Sequence, residues 1–219
     1  MGLPVGNDSS DEQLVAESKR YQDIIQENFV DTYYNITYKA VAALRWVSQR
    51  CPQAEFVLKT DDDVFVNIYL LLKLLVRMST AEPSLHTRTI MCSMGNVHVP
   101  RSGKWKMDKS EFRFDYYPPF CQGLAYIMTQ DIIDPLLNAS YYVPFHKIDD
   151  VYLTGFVVLR VEGAKHVEMN SFSVSNYDLW TLIEEERWSQ YLFSHIEKPL
   201  DIEFYWYAAK QVVLDVKRF

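Results

Sequence analysis

Apolar positions in the first quarter of the chain recur with a helical period. Leu14, Tyr21 and Ile25 mark one side of an early segment. Ser9 stands three residues before Glu12, the spacing of a capping box, so a helix is expected through about Tyr21. Asp31-Thr32 opens a second helix, in which Tyr33, Ile36, Ala40, Leu44 and Val47 give one buried face. Pro52 ends it, because proline disfavours a helical conformation in the preceding Cys51. The pattern then changes. Residues 55–59 read as a short buried strand, an aspartate triplet follows, and residues 68–78 read as the next helix. Residues 89–93 and 123–128 are strand-like, and residues 95–109 form a polar loop. Tyr116-Tyr117-Pro118-Pro119 reads as a rigid aromatic turn. Thr129 is expected to cap a helix through Leu137, ahead of an aromatic-rich loop over 141–149. Residues 151–159 are apolar throughout and fit helix or strand; residues 179–188 are acidic and amphipathic, and 201–210 predict a last helix. Helix, strand, acidic loop and helix in succession define an α/β chain. Ligands of open α/β sheets bind beyond the carboxyl ends of strands, where the aspartates stand. Neither a repeat nor a domain boundary is visible, so residues 1–219 are expected to form a single domain.

Composition narrows the function. Hydrophobic residues make up 48% and aromatics 15%, which excludes a disordered chain. The net charge of -7 argues against a nucleic-acid binder, which needs a basic surface, but suits a nucleotide held through a cation. Cys51, Cys92 and Cys121 match no zinc or redox spacing; one disulfide with a free thiol and three buried thiols both remain open. Sequons at Asn7, Asn35 and Asn138 lean toward the secretory pathway. The longest apolar run, 68–78, is interrupted by Lys73 and Arg77 and falls short of the roughly 20 residues that span a bilayer. With neither a signal peptide nor a spanning segment in view, any membrane attachment is expected to come from an anchor outside this chain. Glycine-rich phosphate loops and a Gly-x-Ser-x-Gly elbow are absent, which disfavours Walker ATPases, Rossmann oxidoreductases and serine hydrolases.

Two acidic groups carry candidate chemistry. Asp61-Asp62-Asp63 lies between the apolar runs Phe56-Val57-Leu58 and Val64-Phe65-Val66. Adjacent carboxylates raise one another's pKa, and a divalent cation removes that cost. On an extended turn Asp61 and Asp63 point the same way and can address one Mg or Mn ion. The plainer alternative is a solvated acidic turn. Asp149-Asp150, in Lys147-Ile148-Asp149-Asp150-Val151-Tyr152, also precedes an apolar run. One member can act as general base and the other as helix cap. His86, His98, His146, His166 and His195 show no close ligand spacing and read individually as surface or core residues.

These blocks, in order, resemble the inverting β-1,3-galactosyl- and N-acetylglucosaminyltransferases of the animal Golgi. The resemblance runs from about Gly2 to Ile202. It rests on Tyr21 to Ile25, Asn28 to Lys39, Phe56 to Asn67, Lys104-Trp105, Tyr117-Pro118-Pro119-Phe120-Cys121-Gln122-Gly123, and Ile148-Asp149-Asp150-Val151-Tyr152-Leu153-Thr154-Gly155. It implies a GT-A fold with a mixed sheet, binding a UDP-sugar (UDP-Gal or UDP-GlcNAc) with Mn, or Mg, at the aspartate motif. Lys59, Asp61 and Asp62 would then face the nucleotide, and Asp63 with Asp61 and His195 would hold the metal. Asp150 would be the base, and Trp105, Tyr117, Pro119, Gly123 and Asp149 would shape the sugar site. The implied activity is hexosyl transfer to the 3-hydroxyl of a glycan on a glycoprotein or glycolipid, at the lumenal side of the Golgi membrane. Against that family the chain is expected to be N-terminally truncated and to lack the first strand. Its Gln122-Gly123-Leu124-Ala125 is bulkier than the usual small-residue run, and similarity weakens after Gly163 apart from His195. A non-catalytic relative with a scaffold role is the competing expectation. A calcium module is disfavoured, because the spacing of an EF-hand is missing.

Overall fold

The computed structural model describes residues 1–3, 10–80, 87–169, 173–174, 191–196, 202–203, 205–207 and 209–210. The chain forms two compact units, one comprising Met1–Gln53, Asn96–Phe120 and Ile133–Glu162, the other Ala54–Gly95, Cys121–Ile132 and Gly163–Phe219.

The described strands belong to the second unit. β1 (Phe56–Thr60), β2 (Val64–Val66), β3 (Thr89–Met94), β4 (Cys121–Thr129), β5 (Lys165–Glu168), β6 (Ser173–Val174) and β7 (Phe193–His195) form two sheets. The larger has the order β1-β4-β3-β5. Its β1/β4 and β3/β4 pairs are antiparallel and its β3/β5 pair is parallel, so it is the mixed sheet expected of this α/β chain. β3 and β4 carry buried apolar stretches, Ile90 to Cys92 and Ala125 to Met128. Ile90 and Cys92 are 0% exposed and Ile127 is 1% exposed, each large side chain contributing about 1.5–3 kcal/mol by burial. Cys92 and Cys121 form a disulfide, with Cα atoms 5.6 Å apart, beside an irregularity in the β3/β4 register. Cys51 is a free thiol, so the first of the two cysteine alternatives holds.

The smaller sheet has the order β2-β7-β6. β2 follows the aspartate triplet and pairs antiparallel with β7, placing Val64 opposite His195. The buried Asn67 then starts α3 (Ile68–Thr80) by accepting from the Leu70 amide at 3.2 Å, an N-cap bond. Thr129 does not cap a helix as expected. It ends β4, accepts from the Thr89 amide at 3.0 Å and donates to Asp131 at 2.6 Å, because the strand runs past the predicted boundary into a 3₁₀ turn, Gln130–Ile132. The described residues of the predicted last helix are helical. There the Tyr205 ring lies tilted against that of the buried Phe65 at 5.1 Å and Trp206 meets the same ring edge-on at 5.3 Å. Residues 179–188, Ser9, Asn7 and His86 lie outside the described residues.

The first unit contains α1 (Ser10–Tyr21), a 3₁₀ turn Tyr33–Asn35 running into α2 (Ile36–Arg50), α4 (Ile133–Ser140) and a π-helical segment Val151–Val157. Val99, Met107, Tyr117, Phe120 and Val151 form its buried cluster, with Phe112, Ile148 and Phe156 packed on it. The Tyr152 hydroxyl donates to the Ser140 carbonyl at 2.8 Å and ties the π segment to α4. Gly155 brings the same segment close to the aromatic turn. A Cβ there would lie 3.3 Å from both Phe120 Cβ and Pro118 Cγ. Gly155→Val is therefore expected to destabilise by about 1–3 kcal/mol through overpacking. A lower urea midpoint at constant m checks this; an unchanged midpoint would show that the turn yields freely. Among the described residues no helix is long and apolar enough to cross a membrane.

Candidate active site

The aspartate triplet is built in the second unit. β1 holds Lys59 and Thr60 in register with Tyr126 and Ala125, and the Asp61 amide extends the ladder by donating to the Leu124 carbonyl at 3.2 Å. The Lys59 ammonium bonds the Asp61 carboxylate at 2.5 Å, donates to the Gly123 carbonyl and lies 5.8 Å from the Tyr126 ring centre. Asp61 is thus held by a cation of its own strand, and its side chain stays 47% exposed. Asp62 is exposed. Asp63 is held through its backbone, whose carbonyl accepts from the Ile196 amide at 2.7 Å. This contact continues the β2/β7 pairing and sets His195 Nε2 3.3 Å from the Asp63 carboxylate.

Two of the residues expected to bind metal are therefore brought together from distant parts of the sequence, while the third, Asp61, pairs with Lys59. Among the described residues no group of three His, Cys, Asp or Glu side chains is arranged to hold an ion. The pair itself fits one. Adjacent ligands on an octahedral ion at about 2.1 Å lie about 3.0 Å apart, close to the Asp63–His195 separation. A carboxylate with an imidazole is a donor set that first-row divalent ions accept. Among the described residues His195 Nδ1 is buried without a hydrogen-bond partner.

The acidic pair Asp149-Asp150 is built in the first unit. Asp149 and Asp150 are half-buried where the chain enters the π segment, a wide turn of a kind frequent at functional sites. The Asp150 carboxylate accepts from the Val151 amide at 2.7 Å, and its carbonyl accepts from the Thr154 hydroxyl at 2.6 Å. Asp150 is therefore the cap of the π segment. Tyr117 is 5% exposed and its hydroxyl is buried without a partner. Burial pushes this phenol up to about 12; the Arg101 charge opposes the shift, and the charges of Asp150 and Glu111 add to it. Pro119 is exposed in the same turn. Trp105 is 54% exposed, with the Lys104 ammonium 5.5 Å from its ring centre and 5.4 Å from that of Tyr33.

Arg101 was not singled out by the sequence reading. Its guanidinium gathers the carbonyls of Met107 at 2.7 Å, Phe112 at 3.0 Å and Phe114, closing the loop that carries Trp105. A longer contact, 3.4 Å, reaches the Asp115 carboxylate, but the closer acceptors are backbone carbonyls, which leave no trace in residue identity. Asn35 donates its amide to the Val30 carbonyl at 2.9 Å, whereas Asn138 is exposed on α4.

Comparison with known proteins agrees with the motif pattern. The family model described as galactosyltransferase matches residues 1–170. Human beta-1,3-galactosyltransferase 5 is 40% identical over 137 residues, covering 63% of this chain and 44% of the relative. The mouse protein of the same name is 31% identical over 211 residues, covering 93% of this chain and 66% of that one. Mouse beta-1,3-galactosyltransferase 1 is 32% identical over 166 residues, covering 76% of this chain and 48% of the relative. The chain thus spans roughly half the length of several relatives it matches. With the family model covering most of its length and these identities, the chain belongs to the β-1,3-galactosyltransferase family.

Proposed function

We propose that this chain is the catalytic part of a Golgi hexosyltransferase that moves galactose from UDP-galactose to the 3-hydroxyl of an acceptor glycan, with inversion. UDP-N-acetylglucosamine is the alternative donor. The observation that carries the reading is the pairing of Asp63 with His195, which assembles an oxygen-nitrogen ligand pair beside the aspartate triplet. Asp63 and His195 would hold a divalent ion, Mn or Mg, and such an ion supplies charge stabilisation to a departing diphosphate. Lys59, Asp61 and Asp62 would orient the nucleotide. Trp105, Tyr117, Pro119, Gly123 and Asp149 would shape the sugar sites, the exposed Trp105 ring offering a face for an acceptor sugar. Asp150 would accept the proton of the attacking hydroxyl, and that oxygen would displace UDP from the opposite face of the anomeric carbon. One base suffices for a single displacement. The disulfide fits an oxidising lumen.

UDP release tests this reading directly. With an acceptor glycan and Mn, UDP-galactose is expected to be turned over, and chelator or His195→Ala is expected to lower the rate at least about tenfold. Turnover that ignores both chelator and His195→Ala would remove the pair from the chemistry. A folded chain that turns over neither UDP-sugar would support the scaffold reading.

A further inference from the structure

The first N–H groups of a helical segment lack partners inside it. At the entry to the π segment one such partner is a side chain. The Ile148 amide donates to Nδ1 of His146 at 3.2 Å, and the Ile148 carbonyl accepts from the Tyr152 amide at 2.9 Å, the hydrogen bond that opens the segment. His146 is itself held firmly. Its carbonyl accepts from the buried Thr37 hydroxyl of α2 at 2.6 Å. Its ring, 8% exposed, stands edge-on to Phe112 at 5.9 Å and Tyr117 at 5.3 Å, and tilted to Phe156 at 5.4 Å.

Nδ1 lies 3.2 Å from the Ile148 amide and 3.4 Å from the Ile148 carbonyl. The shorter contact assigns Nδ1 as acceptor of the amide proton, and a neutral ring in that state carries its own proton on Nε2. Burial holds the ring's pKa below the ordinary value; the Ile148 carbonyl and the Glu111 charge oppose that shift, and the Lys147 charge adds to it. Among the described residues Nε2 is buried without a partner, as is the Tyr117 hydroxyl in the same aromatic cluster. An unsatisfied buried donor is unfavourable, and a phenyl ring would fill this box without one. Packing alone therefore does not account for a histidine here, whereas the bond to Ile148 does.

We propose that His146 is a positioning residue for Asp150: its Nδ1 anchors the Ile148 amide and fixes the start of the π segment on which the carboxylate stands. The catalytic half of this inference rests on the reading of Asp150 as base; the positioning half does not.

Three variants and two further readouts separate the halves. His146→Phe keeps the ring volume and loses the acceptor. His146→Asn sets an amide oxygen about where Nδ1 stands, and His146→Ala serves as a volume control. In His146→Phe, amide exchange over residues 147–152 is expected to quicken, and kcat to fall about 10- to 100-fold with KM for the UDP-sugar within about twofold. His146→Asn is expected to restore protection and bring kcat to within about threefold of the wild type. Should the variants fail to fold, nitrogen NMR of the wild-type ring decides: the proposal requires the Nε2–H tautomer, and an Nδ1–H tautomer overturns it. Unchanged exchange and kcat in a folded His146→Phe also overturn it, as does a folded His146→Asn as impaired as His146→Phe. A wild-type chain without transferase activity defeats the assignment of Asp150 as base, while exchange and NMR still decide whether His146 holds the segment.

Discussion

Asp150→Asn is expected to lower kcat by about 10²- to 10⁴-fold while leaving the fold and UDP-sugar binding intact. Asparagine keeps an oxygen where Asp150 accepts from the Val151 amide at 2.7 Å, so the entry to the π segment loses little. What disappears is basicity. An amide cannot take the proton of an attacking hydroxyl, and the transfer then rests on binding and leaving-group stabilisation alone. Steady-state kcat and KM, with the melting temperature as a control, check this. A loss below about tenfold in a folded protein would show that another group is the base.

The second large effect is on stability. Replacing both Cys92 and Cys121 by alanine is expected to cost about 2–5 kcal/mol. The bond closes a separation of 29 residues, and both sulfurs belong to side chains that are 0% exposed on the central β3/β4 pair. Alanine avoids burying the hydroxyls that serine would bring. Denaturant unfolding measures the loss, and a reducing agent should lower the wild-type midpoint and leave that of the double variant unchanged. A wild-type midpoint insensitive to reduction would mean that the bond contributes nothing to the fold.

Elements with a strong local period were legible in the sequence. α2 showed one apolar face, α3 stood out as the longest apolar run, and β1, β3 and β4 were short strand-like stretches. β2 was read only as an apolar flank, because three residues carry no period and its partner β7 lies far along the chain. The segment after Asp150 fitted helix or strand for a physical reason. Val151, Tyr152, Leu153, Thr154 and Gly155 are all buried, so neither period appears, and the answer is a π helix. The aspartate triplet announced itself by its electrostatic cost. The partnership of Asp63 with His195 came only through family resemblance, since no local spacing links the two. Arg101 and His146 were invisible as organisers because they bond to backbone atoms.

The central claim is a single displacement assisted by one base, and the anomeric configuration of the product tests it most directly. Proton NMR of the disaccharide formed from UDP-galactose should show a β linkage, the inverse of the α-linked donor. An α-linked product would contradict the account, because retention requires either a second group acting as nucleophile or a different course of attack.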